Sequence, residues 1–221
     1  MHRQRSAVLI AIGIAMLWLG VRALRASNMG FVVNCPLPAA GPTSRSGTHT
    51  LNLPYQRDAG LQRVGDVMID VGFTSVANIV KFLQVTDGLA VYTGRKGDSP
   101  PNYPLIAGEC YFVKMNAKVD YVVGGSSDPH AVLNLNAAGP GNLSGANFVG
   151  LPYHATARTA GELMQDIGLA NVASVQRFVT QTDALQVYTG RKGSPPDFPL
   201  DPCECYFVKM NTSVSYIPSH Y

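Results

Sequence analysis

Seven residues, Val91 to Gly97, spell VYTGRKG, and the same seven recur from Val187 to Gly193. Leu53-Pro54-Tyr55 returns 98 residues later as Leu151-Pro152-Tyr153, and Tyr111 to Asn116, YFVKMN, returns as Tyr206 to Asn211. The spacing drifts from 98 to 96 to 95, as it does when loops gain or lose a few residues. Self-similarity on this scale constrains the fold more than any composition does, because both segments must fold by the same local rules. Ala39-Ala40-Gly41 aligns with Ala137-Ala138-Gly139, so each copy starts with its own leading strand. The expected organisation is a targeting segment at 1–27, a first module at 28–126 and a second at 127–221. Gly124 to Pro129, rich in turn formers, reads as the linker.

Each copy carries one short helix. Ala160, Leu163, Met164 and Ile167 form a single apolar stripe, repeated as Val64, Val67, Met68 and Val71. Thr159 with Glu162 predicts a capping box, and Gly72 and Gly168 stand where a helix ends. Arg63 offers no capping oxygen, so the first helix should start less sharply. The remainder alternates as strands. Ile79–Val85 and Leu89–Thr93 flank Asp87-Gly88, a hairpin signal, and the second copy has the weaker Asp183-Ala184 there. Glu109–Met115 and Val119–Val123 read as a second hairpin around Asn116. The 22 Gly and 15 Pro suit many turns and short elements. The fold class expected is α+β and β-rich: two antiparallel, sandwich-like modules, each with one short helix.

The leading strand before Leu-Pro-Tyr, the short helix and the later runs Tyr103-Pro104-Leu105 to Val113 and Phe198-Pro199-Leu200 to Val208 resemble repeat modules of secreted and surface proteins of bacteria. The resemblance covers nearly all of both copies and implies an extracytoplasmic setting. The second copy departs from it with Cys203 where the pattern has glycine.

Arg3 and Arg5 precede an unbroken run of apolar residues and Gly from Ala7 to Val21. This has the length of a signal-peptide core and is short of the ~20 residues of a membrane span. Arg22 and Arg25 leave a retained signal anchor as the alternative to cleavage; residues 7–21 would then associate with the membrane. Without the four N-terminal arginines, 13 bases face 14 acids, a net charge of −1. A near-neutral body excludes general electrostatic binding of nucleic acid.

Four cysteines in an exported chain admit disulfides. A bridge between Cys35 and Cys110 within the first copy is one reading. Small buried thiols at Cys110 and Cys205 are the other. Cys203 and Cys205 are read as two residues apart on one strand, about 7 Å from each other on one face and unsuited to a mutual bond. The histidines are scattered and read as isolated surface groups, with no metal-ligand spacing, and no cofactor is expected.

The turn Gly94-Arg95-Lys96-Gly97 and its echo Gly190-Arg191-Lys192-Gly193 form the most specific feature. Arg95, Lys96, Arg191 and Lys192 sit at expected loop tips after Tyr92 and Tyr188, an arrangement that suits a phosphate, sulfate or uronate group. Asp98 and Asp197 lie close enough to blunt their field. The leading functional expectation is a non-enzymatic structural or interaction protein outside the cytoplasm, partnered by other protein subunits. An anionic-glycan binding module acting through the two turns is the alternative. A hydrolase using Asp128 and His130 between the copies is a third reading.

Overall fold

The computed structural model describes residues 30–53, 60–98, 101–126, 128 and 130–220. The expected signal segment lies outside them. Among the described residues no helix is long and apolar enough to cross a membrane.

The first set of elements is β1 (Phe31–Leu37), β2 (Thr48–Asn52), α1 (Val64–Val71), β3 (Val76–Leu83), β4 (Gly88–Tyr92), β5 (Cys110–Met115) and β6 (Val119–Gly125). The second is β7 (Leu133–Leu135), β8 (Ala146–Gly150), α2 (Ala160–Ile167), β9 (Val172–Val179), β10 (Ala184–Tyr188), β11 (Cys205–Met210) and β12 (Val214–Tyr216). Each half builds an antiparallel four-stranded sheet, ordered β2-β5-β3-β4 and β8-β11-β9-β10, together with a two-stranded ribbon, β1-β6 or β7-β12. Among the described residues the fold is thus β-rich and antiparallel, with one helix in each half.

The expected hairpin of β5 with β6 does not form. Both edges of β5 are taken, by β2 and β3, and β6 crosses over to pair with β1 from Phe31–Gly125 to Leu37–Val119. Gly124 and Gly125, read as linker, are therefore paired residues of β6. The β3–β4 and β9–β10 hairpins do form, in unbroken register. Their turns place Asp87 and Asp183 at φ +49° and +54°, so in both turns it is the aspartate that takes the left-handed conformation.

Pleating explains the core. On β5, Tyr111, Val113 and Met115 point to one side and meet Val64, Val67 and Met68 of α1 and Tyr121 of β6. Tyr206, Val208 and Met210 of β11 meet Leu163 and Met164 of α2 in the same manner. Two further devices pin each helix start. Thr159 Oγ1 accepts from the Glu162 N–H at 3.2 Å, while the Glu162 carboxylate accepts from the Arg158 N–H. In α1, Asp66 accepts from the Arg63 and Gln62 N–H groups, and Asn102 Oδ1 caps the Gly65 N–H from a distant loop. Asp197, the counterpart of Asn102, accepts from the Gly161 N–H.

Candidate functional site

The other side of each four-stranded sheet is apolar too. Phe82, Cys110 and Phe112 of the first half meet Phe148, Cys205 and Phe207 of the second in a separate cluster. The contacts come in matched pairs. Phe82 meets Phe207 edge-on at 5.1 Å between ring centroids, and its counterpart Phe178 meets Phe112 edge-on at 5.6 Å. Edge-on rings bring the positive rim of one to the negative face of the other, worth ~0.5–1.5 kcal/mol per pair beyond area burial. The Arg45 N–H donates to Thr180 O at 2.8 Å, and Leu143 N–H to Gln84 O at 2.9 Å. Ser46 Oγ donates to Asp183 and Ser144 Oγ to Asp87, both at 2.8 Å. Exchange of the halves maps each contact onto its mate, the signature of an isologous interface.

The symmetry breaks near its axis. Asn52 Nδ2 donates to Leu151 O and Pro202 O, at 2.8 and 2.9 Å. Its counterpart is Gly150, where an added Cβ would overlap the Asn52 carboxamide. Only one of the two equivalent positions can carry a side chain. Among the described residues, Asn52 Oδ1 is buried without a hydrogen-bond partner. Thr50 and Phe148, likewise equivalent, differ in kind: Thr50 Oγ1 accepts from the Cys205 N–H, whereas Phe148 stacks between Phe112 and Phe207.

Both disulfides cross this interface. Cys110 bonds to Cys205, and Cys35 bonds to Cys203. A Cys35–Cys110 bridge is overturned. Cys35 lies among the residues of its own core, whereas Cys110 sits on the opposite face of β5, turned to the second half. Cys110 and Cys205 are buried, as read, but are not free thiols. Cys203 lies in the loop before β11 rather than on the strand, which frees it to reach across. The reading of isolated surface histidines holds for the exposed His130 and fails for His49 and for His154 with His220. His49 is buried on β2 with Nε2 at 2.7 Å from Pro38 O, and His154 packs edge-on to His220. Burial, above all, pushes the His49 imidazole below its ordinary value.

At the GRKG turns, Arg95, Lys96, Arg191 and Lys192 are exposed. Tyr92 and Tyr188 instead pack along the rims of the two cores, Tyr92 edge-on to Tyr103 at 6.4 Å. The rings are not platforms at the tips. Gly94, Gly97, Gly190 and Gly193 all have positive φ, which explains the glycines without any ligand. The two turns differ in one residue. Asp98 closes the first: its carboxylate accepts from Thr93 Oγ1 at 2.7 Å, Thr93 N–H at 2.8 Å and Arg95 N–H at 3.1 Å. The Thr93 hydroxyl chiefly, then the backbone N–H groups, hold Asp98 below the usual carboxylate range. Ser194 takes its place in the second turn, accepting only from the Thr189 N–H among the contacts described. Asp197 is engaged at the start of α2. Asp128 accepts from the His130 N–H in a local turn.

The aromatic interface was legible in the sequence only as a second pattern. Cys110-x-Phe112 and Cys205-x-Phe207 are apolar on the strand face opposite the core, an apolar doubling that strands with one wet face lack. Comparison of the chain with family models, curated proteins and solved structures finds no match.

Proposed function

We propose that this is an exported, non-enzymatic structural or interaction protein, made of two copies of one module fused back to back after duplication. The observation that carries the reading is the pair of disulfides that join the halves, using all four cysteines. Disulfides persist in oxidising compartments and are rare where thiols are kept reduced. Two covalent ties across an aromatic interface make a stiff scaffold, which suits a surface component or an accessory subunit of a larger assembly. Intact mass of the protein from its native cell tests this. The expected chain begins between Leu24 and Asn28 and is 4 Da lighter than its reduced form, the mass of four hydrogens lost to two disulfides. A cytoplasmic, fully thiol-containing chain sinks the proposal.

A second reading, binding of an anionic glycan, is favoured by the difference between Asp98 and Ser194. An internal carboxylate already occupies the first turn, whereas the second has a hydroxyl there, with Arg191 and Lys192 exposed at its tip. Arg191→Ser with Lys192→Ser should lower salt-sensitive retention on an acidic polysaccharide, and Arg95→Ser with Lys96→Ser should leave most of it. Thermal stability should hardly change, because exposed turn-tip charges contribute within about ±0.5 kcal/mol each. Equal effects of the two double variants, or none, end this reading.

A further inference from the structure

The two disulfides differ in what surrounds them. Cys110 and Cys205 are 2% and 1% exposed and lie in the aromatic cluster with Phe82, Phe112, Phe148 and Phe207. A cleft of about 340 Å³ beside Lys81, Phe82 and Phe148 reaches Cys110 from one side, yet leaves it that deeply covered. Cys35 is 2% exposed as well, among the core residues of the first half. Cys203 is unlike the other three. It is half-buried, in a turn that the Glu204 N–H closes on Asp201 O just before β11. Thiol–disulfide exchange requires a sulfur that a thiolate can reach, and Cys203 carries the reachable one.

The seam that Cys35–Cys203 closes is also held without it. The Asn52 N–H donates to Cys203 O at 3.0 Å, Asn52 Nδ2 donates to Pro202 O, and Asp201 Oδ1 accepts from the Cys203 N–H at 2.8 Å. Nearby, Phe31 of β1 stacks on Tyr153 of the second half at 4.5 Å between ring centroids. The matching seam shows that the bond is not needed for this geometry. Leu133 and Gly108 stand at the equivalent positions, and the Gly150 N–H donates to Gly108 O as Asn52 does to Cys203 O. Opening Cys35–Cys203 therefore leaves the turn anchored and the halves joined through Cys110–Cys205.

We propose that Cys35–Cys203 is an exchangeable bond and that Cys203 is a modification site for small external thiols. A thiolate attacks Cys203 Sγ. The new S–S bond forms there as the Cys35–Cys203 bond breaks, and the electron pair leaves on Cys35, which takes a proton from water. Attack on Cys35 would expel the better-solvated sulfur, the better leaving group, but burial denies the approach, and access decides. The displaced Cys35 thiol stays among apolar neighbours, where its neutral form is favoured. A second thiolate then frees Cys203, and the two small thiols are oxidised to their own disulfide. The proposal rests on the oxidised chain of the structural reading above and adds which of its bonds responds to thiols.

The test treats the oxidised protein with free cysteine, quenches with acid, alkylates and maps the peptides. Intact mass of the starting protein checks both bonds first; a chain that lacks them ends the structural reading together with this one. The expected product carries cysteine on Cys203 and a free thiol at Cys35, with Cys110–Cys205 intact. Loss of Cys35–Cys203 should run at least ~tenfold faster than loss of Cys110–Cys205, which must wait for the aromatic interface to open locally. Cys35→Ser with Cys203→Ser, checked for folding by thermal melting, should take up no cysteine over the same period. Cysteine found on Cys35, or Cys110–Cys205 opening first or at the same rate, overturns the proposal and leaves the structural reading standing. So does equal uptake by the folded double variant.

Discussion

Cys110 and Cys205, each the first residue of the same strand in its half, are bonded to one another. A bond between equivalent positions sits on the axis that exchanges the halves, so the two halves of the chain meet as the subunits of a twofold dimer would. Cys35–Cys203 has no such mate, because the matching positions hold Leu133 and Gly108. It is an additional tie on one side of the axis.

Peptide mapping without reduction should therefore recover Cys35 linked to Cys203 and Cys110 linked to Cys205; a Cys35–Cys110 peptide would falsify the arrangement. Replacing Cys110 and Cys205 together by Ser should cost about 2–4 kcal/mol in chemical denaturation, the usual range for a bridge across a long loop. The remaining Cys35–Cys203 bridge should keep the halves together in that variant.

Gly150→Ala should be costly for a reason that lies in the other half. The new methyl overlaps the Asn52 carboxamide, and a forced fit in a packed region costs about 1–3 kcal/mol. In an Asn52→Gly background the obstruction is gone, so Gly150→Ala should then cost little. The double-mutant cycle reads the difference directly. Equal costs in the two backgrounds would mean that these positions do not meet.

Thr159→Ala should destabilise the protein by about 1 kcal/mol by removing the acceptor for the Glu162 N–H. Arg63→Ala should cost less, because Asp66 and Asn102 supply the caps of α1. Asn102→Ala is then the more damaging change at that helix start. Denaturation curves in which Arg63→Ala exceeds Asn102→Ala would contradict this assignment.

His49 gives stability a pH dependence of known sign. Burial lowers its pKa in the fold, against smaller opposing effects of Pro38 O and Asp183, while the unfolded chain takes its proton near 6.5. The fold therefore holds the full contribution above about pH 6.5, and loses it as pH falls from there through the lowered value. Following the His49 ring by NMR should give a midpoint below 6.5. A midpoint at or above that value would contradict the burial account.

The elements that obey local rules were readable in the chain. The stripe of Leu163, Met164 and Ile167, the Thr159 cap, the positive-φ glycines Gly72 and Gly168 and the Asp87 turn all follow from a few consecutive residues. What depends on which strands meet was not readable. Asn116 looks like a hairpin turn, but β6 leaves for β1 because β2 and β3 already flank β5. The cysteines were misread for the same reason. Reading each copy as a self-contained unit restricts Cys35 to partners in its own half, and the bond is to Cys203, 168 residues away. The charged turns were visible, but the difference between Asp98 and Ser194 acquires meaning only when the hydrogen bonds are seen.

The Cys35–Cys203 bond also decides how the protein bears tension. A pull applied through the chain before Cys35 and after Cys203 passes from one sulfur to the other and bypasses everything between. The 168 residue steps it shields, a contour length of roughly 590 Å at about 3.5 Å each, cannot be paid out while the bond is intact. Under load the oxidised molecule acts as a short inextensible link, and reduction turns the same molecule into a long tether.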